Sequence, residues 1–293
     1  MRGRISRRRF VTVTAAASVG LAGCSGRGGD QETTDAGDDT ATATDTATEA
    51  ETTDSPTTTA GEPSVPEDAS VSLSVGQADG LDGLYSPLMA TFEAENFTVE
   101  PSGEVNDGAG HFHLMIDTGA VETGETIPSD DQHLHYGDGS SRDVLDLEPG
   151  EHELTLQMGD GAHTALPLTD TQTVTVDGQA SIALDAPDDG AEFGVDETIT
   201  FEPTVENFVV EASGEINQNA GHHHLLVNTE PVETGAVVPS DDQHVHFGDG
   251  TETPTVEASD LGPGEHELQF QLANGAHEAY PLTTDPIQIT VTE

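Results

Sequence analysis

The same histidine-rich stretch is written twice in this chain. Residues 109–139 read AGHFHLMIDTGAVETGETIPSDDQHLHYGDG, and residues 220–250 read AGHHHLLVNTEPVETGAVVPSDDQHVHFGDG. Between residues 103–139 and 214–250, 23 of 37 positions are identical without a gap. Each copy carries two His-x-His pairs, separated by a loop that ends in Ser-Asp-Asp-Gln. All 13 histidines lie between His111 and His277. Whatever the chain folds into, it must do so twice, and both copies must accommodate the same imidazoles.

Side chains alternate along a strand, so His-x-His places two imidazoles on one face. His111 and His113 share a face opposite Phe112, Leu114 and Ile116. Asp131, His133 and His135 share one opposite Leu134 and Tyr136. In the second copy His222 and His224 oppose His223, Leu225 and Val227, and Asp242, His244 and His246 oppose Val245 and Phe247. The apolar residues claim the core, so the paired histidines point away from it. His223, which replaces Phe112, falls on the core side and reads as packing.

The surrounding pattern is all-β. Short alternating runs open at residues 70–75 and 181–186 and continue at 91–99 and 200–210. They end in Asp160-Gly161 and Asn274-Gly275, both strong hairpin signals. No window holds a helical period. About seven strands per 110 residues, with turns every 8 to 12, fit two tandem immunoglobulin-like β-sandwich domains, at residues 68–177 and 178–293. His152 and His266 follow Pro-Gly-Glu at the start of a penultimate strand, where such domains often use a tyrosine corner. They read as structural corner histidines.

What precedes the repeats is not part of the fold. Ser6-Arg7-Arg8-Arg9-Phe10 fits a twin-arginine export signal, and Leu21-Ala22-Gly23-Cys24 resembles a lipoprotein cleavage box. The expectation is a signal peptide over residues 1–23 and a lipidated Cys24, anchoring the protein at the cell surface on the outer face of the cytoplasmic membrane. Cys24 is the single cysteine, so no intrachain disulfide can form. Residues 24–67, rich in Thr, Asp, Ala, Glu and Gly, cannot bury enough apolar surface to order and read as a disordered linker.

Charge narrows the partners. From Cys24 on, 56 acidic residues face only Arg27 and Arg142, a formal charge of −54. Such self-repulsion is tolerable where salt shortens the Debye length to about 3 Å, at 1 M. The composition resembles a surface protein of an extreme halophile. Nothing here could neutralise phosphates, which excludes nucleic acid.

Ala-Gly-His-x-His-Leu, Asp-Gln-His-x-His-x-Gly-x-Gly, the Pro-Gly-Glu-His-x-Leu strand start and Gly-Ala-His together resemble a family known as domain of unknown function 4399, found in secreted bacterial and archaeal proteins. The likeness covers both repeats and implies a small secreted β domain, with no activity attached. A weaker likeness to copper–zinc superoxide dismutase fails on the missing disulfide and on the second repeat, which has no arginine.

Two histidines at i and i+2 lie about 6.5–7 Å apart along a strand, and neighbouring strands about 4.8 Å apart. Imidazoles can converge from there on one ion at about 2.0–2.1 Å. The expected ligands are His111, His113, His133 and His135, and His222, His224, His244 and His246. Asp131 and Asp242 are additional ligands or acceptors that fix a tautomer. His163 and His277 either reach the same patch or decorate a hairpin tip. Nitrogen ligation suits copper or zinc and disfavours calcium. The leading expectation is a divalent transition metal in each domain, for capture, buffering or delivery. The alternative is a non-catalytic structural or adhesive surface module whose histidines only hydrogen-bond. A third, a copper-dependent redox enzyme, requires an open coordination position. No nucleophile triad stands out, so an enzyme is not expected. Asn96-Phe97-Thr98 is an N-glycosylation sequon, broken by Val209 in the second copy.

Overall fold

The computed structural model describes residues 64–76 and 79–293. The twin-arginine stretch, Cys24 and residues 24–63 of the expected linker lie outside them.

Each repeat is a β-sandwich, formed because one face of every long strand is apolar. In the first, Ser70–Val75, Leu88–Glu95 and Arg142–Leu145 make an antiparallel sheet. The opposing sheet runs Thr98–Val99, Ala109–Ile116, Gly150–Gly159, Ala165–Val176, with the short strand His133–His135 added to Ala109–Ile116. Leu73, Leu88 and Phe92 meet Phe112, Leu114, Leu154, Leu156 and Met158 between the two sheets. Fully burying such side chains contributes about 1.5–3 kcal/mol each before entropy is counted.

In the second repeat the histidine strand Ala220–Val227 lies between Gly264–Ala273 and His244–Phe247. Ile199, Phe201, Leu225, Leu268, Phe270 and Tyr280 form its core. A single helical turn, Ala258–Leu261, interrupts the β pattern. Four residues are too few to show a helical period, so the sequence gives no sign of it.

The corner histidines bond back to the backbone. His152 Nε2 is 2.8 Å from the Glu148 carbonyl, and His266 Nε2 is 2.9 Å from that of Gly262. His266 donates there, so its Nδ1 accepts from Asn228 Nδ2 at 3.2 Å. Asn96 sits at positive φ and donates to the Asp68 carbonyl at 3.0 Å. Asn207 makes the same bond to Gln179 without a sequon, so turn chemistry accounts for the asparagine in both copies.

The described residues belong to one compact unit. Met89 and Val144 sit opposite each other on the outer face of the first repeat's three-stranded sheet and are buried in the second repeat's core cluster. Asn219, fully buried, donates to the carbonyls of Tyr85 and Pro87.

Candidate metal centre

Register decides which histidines meet. On Ala109–Ile116, His113 lies opposite His135, and Met115 lies opposite His133. His133 is therefore one step beyond the patch. Its Nδ1 is 2.7 Å from Asp130 Oδ1 instead, and His244 pairs identically with Asp241. The other flanking strand brings Gly159 opposite His111, and with it the hairpin that carries His163. In the second repeat Ala273 lies opposite His222, and the next hairpin carries His277.

Four imidazoles thus converge in each repeat. In the first, His111 Nε2 and His113 Nε2 are 3.0 Å apart, and His135 Nε2 and His163 Nε2 are 3.1 Å apart. The second repeats this at 3.1 Å for His222–His224 and 3.1 Å for His246–His277. The donor atoms of His222, His224, His246 and His277 all lie within 4.8 Å of one another, as do those of His111, His113 and His135. The structure brings together six of the eight histidines expected as ligands and adds His277 in the second repeat; in the first, His163 bonds to His135 but its donor atom falls outside the 4.8 Å group. It leaves out His133 and His244, and exposed Asp131 and Asp242 are absent from both groups.

His111, His113, His222 and His224 face away from the main core yet are buried, whereas His135 and His246 on the neighbouring strands are exposed. His111 and His222 are 0% exposed, His113 1% and His224 2%. Residues 117–132 and 228–243 fold back over this face. Gln157 clasps the first of these loops, accepting from the Val121 N–H at 2.9 Å and donating to the Val121 and Leu166 carbonyls. Gln271 does the same with Val232 and Tyr280. Beneath the loops lie second, smaller cores: Met115, Ile127 and Ala165, and Val238, Ala273 and Ala279. Parity alone assigns Gln157 to a polar face with Glu153 and Thr155. The one sign in the sequence that this glutamine matters is its recurrence at Gln271.

Two backbone features seat the outer rings. His163 and His277 both have φ of 66°, in the left-handed region. Asp160 Oδ1 accepts from the N–H groups of Ala162 and Thr164 at 2.8 Å, and Asn274 Oδ1 from those of Ala276 and Glu278, at 2.9 and 3.0 Å. This turn ends in a position that usually favours glycine, and here a histidine occupies it. The final Gly of His-x-His-x-Gly leaves room for the ring: a Cβ on Gly137 would lie 2.2 Å from His135 Cε1, and one on Gly248 equally close to His246 Cε1.

The inner four imidazoles are held neutral near pH 7. Burial, then the neighbouring imidazoles, lowers His111 and His222 to about 4 and His113 and His224 to about 3. His135 and His246 are lowered too, first by burial and then by His163 and His277, against the opposing pull of Asp138 and Asp249. Neutral imidazole is the form that ligates metal. The inner four Nδ1 atoms have no protein partner, which departs from the usual carboxylate or carbonyl behind a ligating histidine. His223 points the other way: its Nδ1 is 3.2 Å from the Thr251 carbonyl and its ring stands edge-on to Phe270.

This chain belongs to the family described as domain of unknown function (DUF4399), whose model matches residues 90–177 and 200–292. No curated protein matches the sequence. Among solved structures it is similar to the fibronectin(III)-like modules of Clostridium thermocellum CbhA, at 11% identity over 75% of this chain and 93% of that one, with a TM-score of 0.24. It is also similar to Bacteroides ovatus SGBP-B of a mixed-linkage glucan utilization locus, solved with a mixed-linkage heptasaccharide. That match has 12% identity over 75% of this chain and 47% of that one, and a TM-score of 0.17. Superpositions this loose say nothing about what this chain binds.

Proposed function

We propose that each repeat holds one divalent transition-metal ion between four imidazoles, on a protein anchored to the cell surface through Cys24, for capture, buffering or delivery. The supporting observation is the convergence of Nε2 atoms, 3.0–3.1 Å apart within each pair, in both copies. Nitrogen ligands at about 2.0–2.1 Å from one ion stand roughly 2.9–3.4 Å from each other, so little movement is needed. The ligands are His111, His113, His135 and His163, and His222, His224, His246 and His277.

The same separations also suit a hydrogen bond between neutral imidazoles, which supports the second reading, a structural or adhesive module. Metal content decides between them. After folding in molar KCl with Zn(II) or Cu(II) and desalting, the first reading expects about two ions per chain and the second none. His113→Ala and His224→Ala should each remove one ion, whereas His133→Ala and His244→Ala should remove none. At 100-fold excess over Kd, binding adds about 2.7 kcal/mol of stability, readily seen as a thermal shift. The anchor is tested separately: Cys24→Ser should release the protein into the medium.

A further inference from the structure

We infer that both sites are closed and tetrahedral, taking a Zn(II)-class ion with no vacant position; this rests on the metal-binding reading above. The six separations among four rings distinguish a tetrahedron from a square. With nitrogens about 2.0–2.1 Å from the ion, ring centroids stand roughly 3.2 Å out. A tetrahedron then has six equal edges of roughly 5.2 Å, and a square has four of roughly 4.5 Å and two diagonals of roughly 6.4 Å.

In the first repeat five separations lie between 4.7 and 5.1 Å, and only His113–His163 is longer, at 5.9 Å. Diagonals of a square come in pairs that share no corner. If His113–His163 were one, His111–His135 would have to be the other, and it is 4.9 Å. The second repeat has the same form: His224–His277 is 5.7 Å, but its complement His222–His246 is 4.8 Å. In both clusters the ring centroids form a tetrahedron with one stretched edge. Two rings come from one strand, one from the neighbouring strand and one from a hairpin tip, so they cannot lie in a plane without rebuilding the turn.

That shape carries chemistry. Zn(II) and Co(II) accept four nitrogens in a tetrahedron, whereas Cu(II) and Ni(II) prefer square-planar or tetragonal fields. No carboxylate joins either group, and His133 and His244 are engaged with Asp130 and Asp241. Zinc enzymes keep a coordination position for water or substrate; four protein imidazoles fill all of them. Each site is therefore built to retain its ion and not to turn over a substrate.

The test is Co(II) loading of the full chain in molar KCl, followed by visible absorption. The expected result is about two ions per chain with the intense d–d bands of four-coordinate Co(II). His163→Gly and His277→Gly should each weaken half of that signal, and added imidazole should restore it by refilling the vacated position. Two bound Co(II) ions with only the weak bands of a six-coordinate ion, or no change on His163→Gly, would overturn the closed tetrahedron while leaving metal binding intact. Absence of bound Co(II), Zn(II) and Cu(II) alike would overturn both.

Discussion

In the first repeat the residue after the hairpin histidine is Thr164; in the second it is Glu278, gripped by Arg142 of the first repeat. Arg142 Nε donates to both carboxylate oxygens, at 2.9 and 2.8 Å, and Nη2 reaches the same group. Arg142 is also the single Lys or Arg among the described residues. The turn hub differs too, Asp160 against Asn274, and the core-side neighbour is Phe112 against His223. The corner histidine meets Asp117 in one copy and Asn228 in the other. Yet the four imidazoles are arranged alike, to within about 0.2 Å in every ring separation. Charge, size and tethering have all drifted around these clusters while the arrangement of the rings has not.

Acid gives the largest expected effect and should erase the contrast between repeats. His111, His113, His222 and His224 titrate lower when folded than when unfolded. The unfolded chain therefore binds more protons below pH 6.5, and stability falls as pH drops from there towards 4. Each such group adds up to about 1.4 kcal/mol per pH unit. Metal-free protein in fixed molar KCl should show a melting temperature that declines steadily between pH 6.5 and about 4.5. His113→Ala and His224→Ala should each flatten that slope. His152 runs the other way: desolvation lowers it, but the Glu148 carbonyl and Asp117 raise it overall. Its contribution is present at pH 6 and lost as pH rises above its folded value.

Next in size is the core position at which the copies differ most. His223→Ala should destabilise the second repeat by about 2–4 kcal/mol, because it empties space beside Phe270. It should leave metal stoichiometry unchanged. Loss of an ion on His223→Ala would mean that this side chain, and not its neighbours, faces the site. His223→Phe installs the residue found in the first repeat and removes a buried Nε2 that has no partner. It should be near neutral in denaturant melts.

The hairpin histidines offer a contrast of sign. His163→Gly and His277→Gly relieve a left-handed backbone and should each raise metal-free stability by about 0.5–1 kcal/mol. Each should also weaken metal at its own site, a loss that added imidazole reverses. A purely structural histidine would not give a more stable protein that binds less metal.

The smallest effect concerns the tether. Arg142→Gln should weaken metal at the second site by a few-fold at most and leave the first untouched, since a partly exposed ion pair is worth about 0–1 kcal/mol. Equal losses at both sites, in a titration that resolves them, would show that the clamp stabilises the interface between repeats and not the hairpin.

Much of this is legible in the sequence. Alternation put Phe112, Leu114 and Ile116 on one face and His111 and His113 on the other, and the structure keeps that split. The turn dipeptides located both hairpins, and the duplication implied two cores. Parity could not report which residues lie opposite one another, and so His133 and His163 exchanged places. A strand has period two in its own sequence, but its register against a neighbour is fixed by loops and packing elsewhere. Parity was equally silent on what covers a face. Gln157 and Gln271 look solvent-exposed from their neighbours, yet they fasten the loops that lie over the inner imidazoles. Sequence by itself thus determined the strands, their two faces and the pairing of histidines at i and i+2, because those follow from local backbone geometry. Only the tertiary structure decided which histidines meet, how deeply the inner four are buried and how the rings are arranged. Each depends on contacts between segments some 20 to 50 residues apart, whose alignment no local pattern encodes.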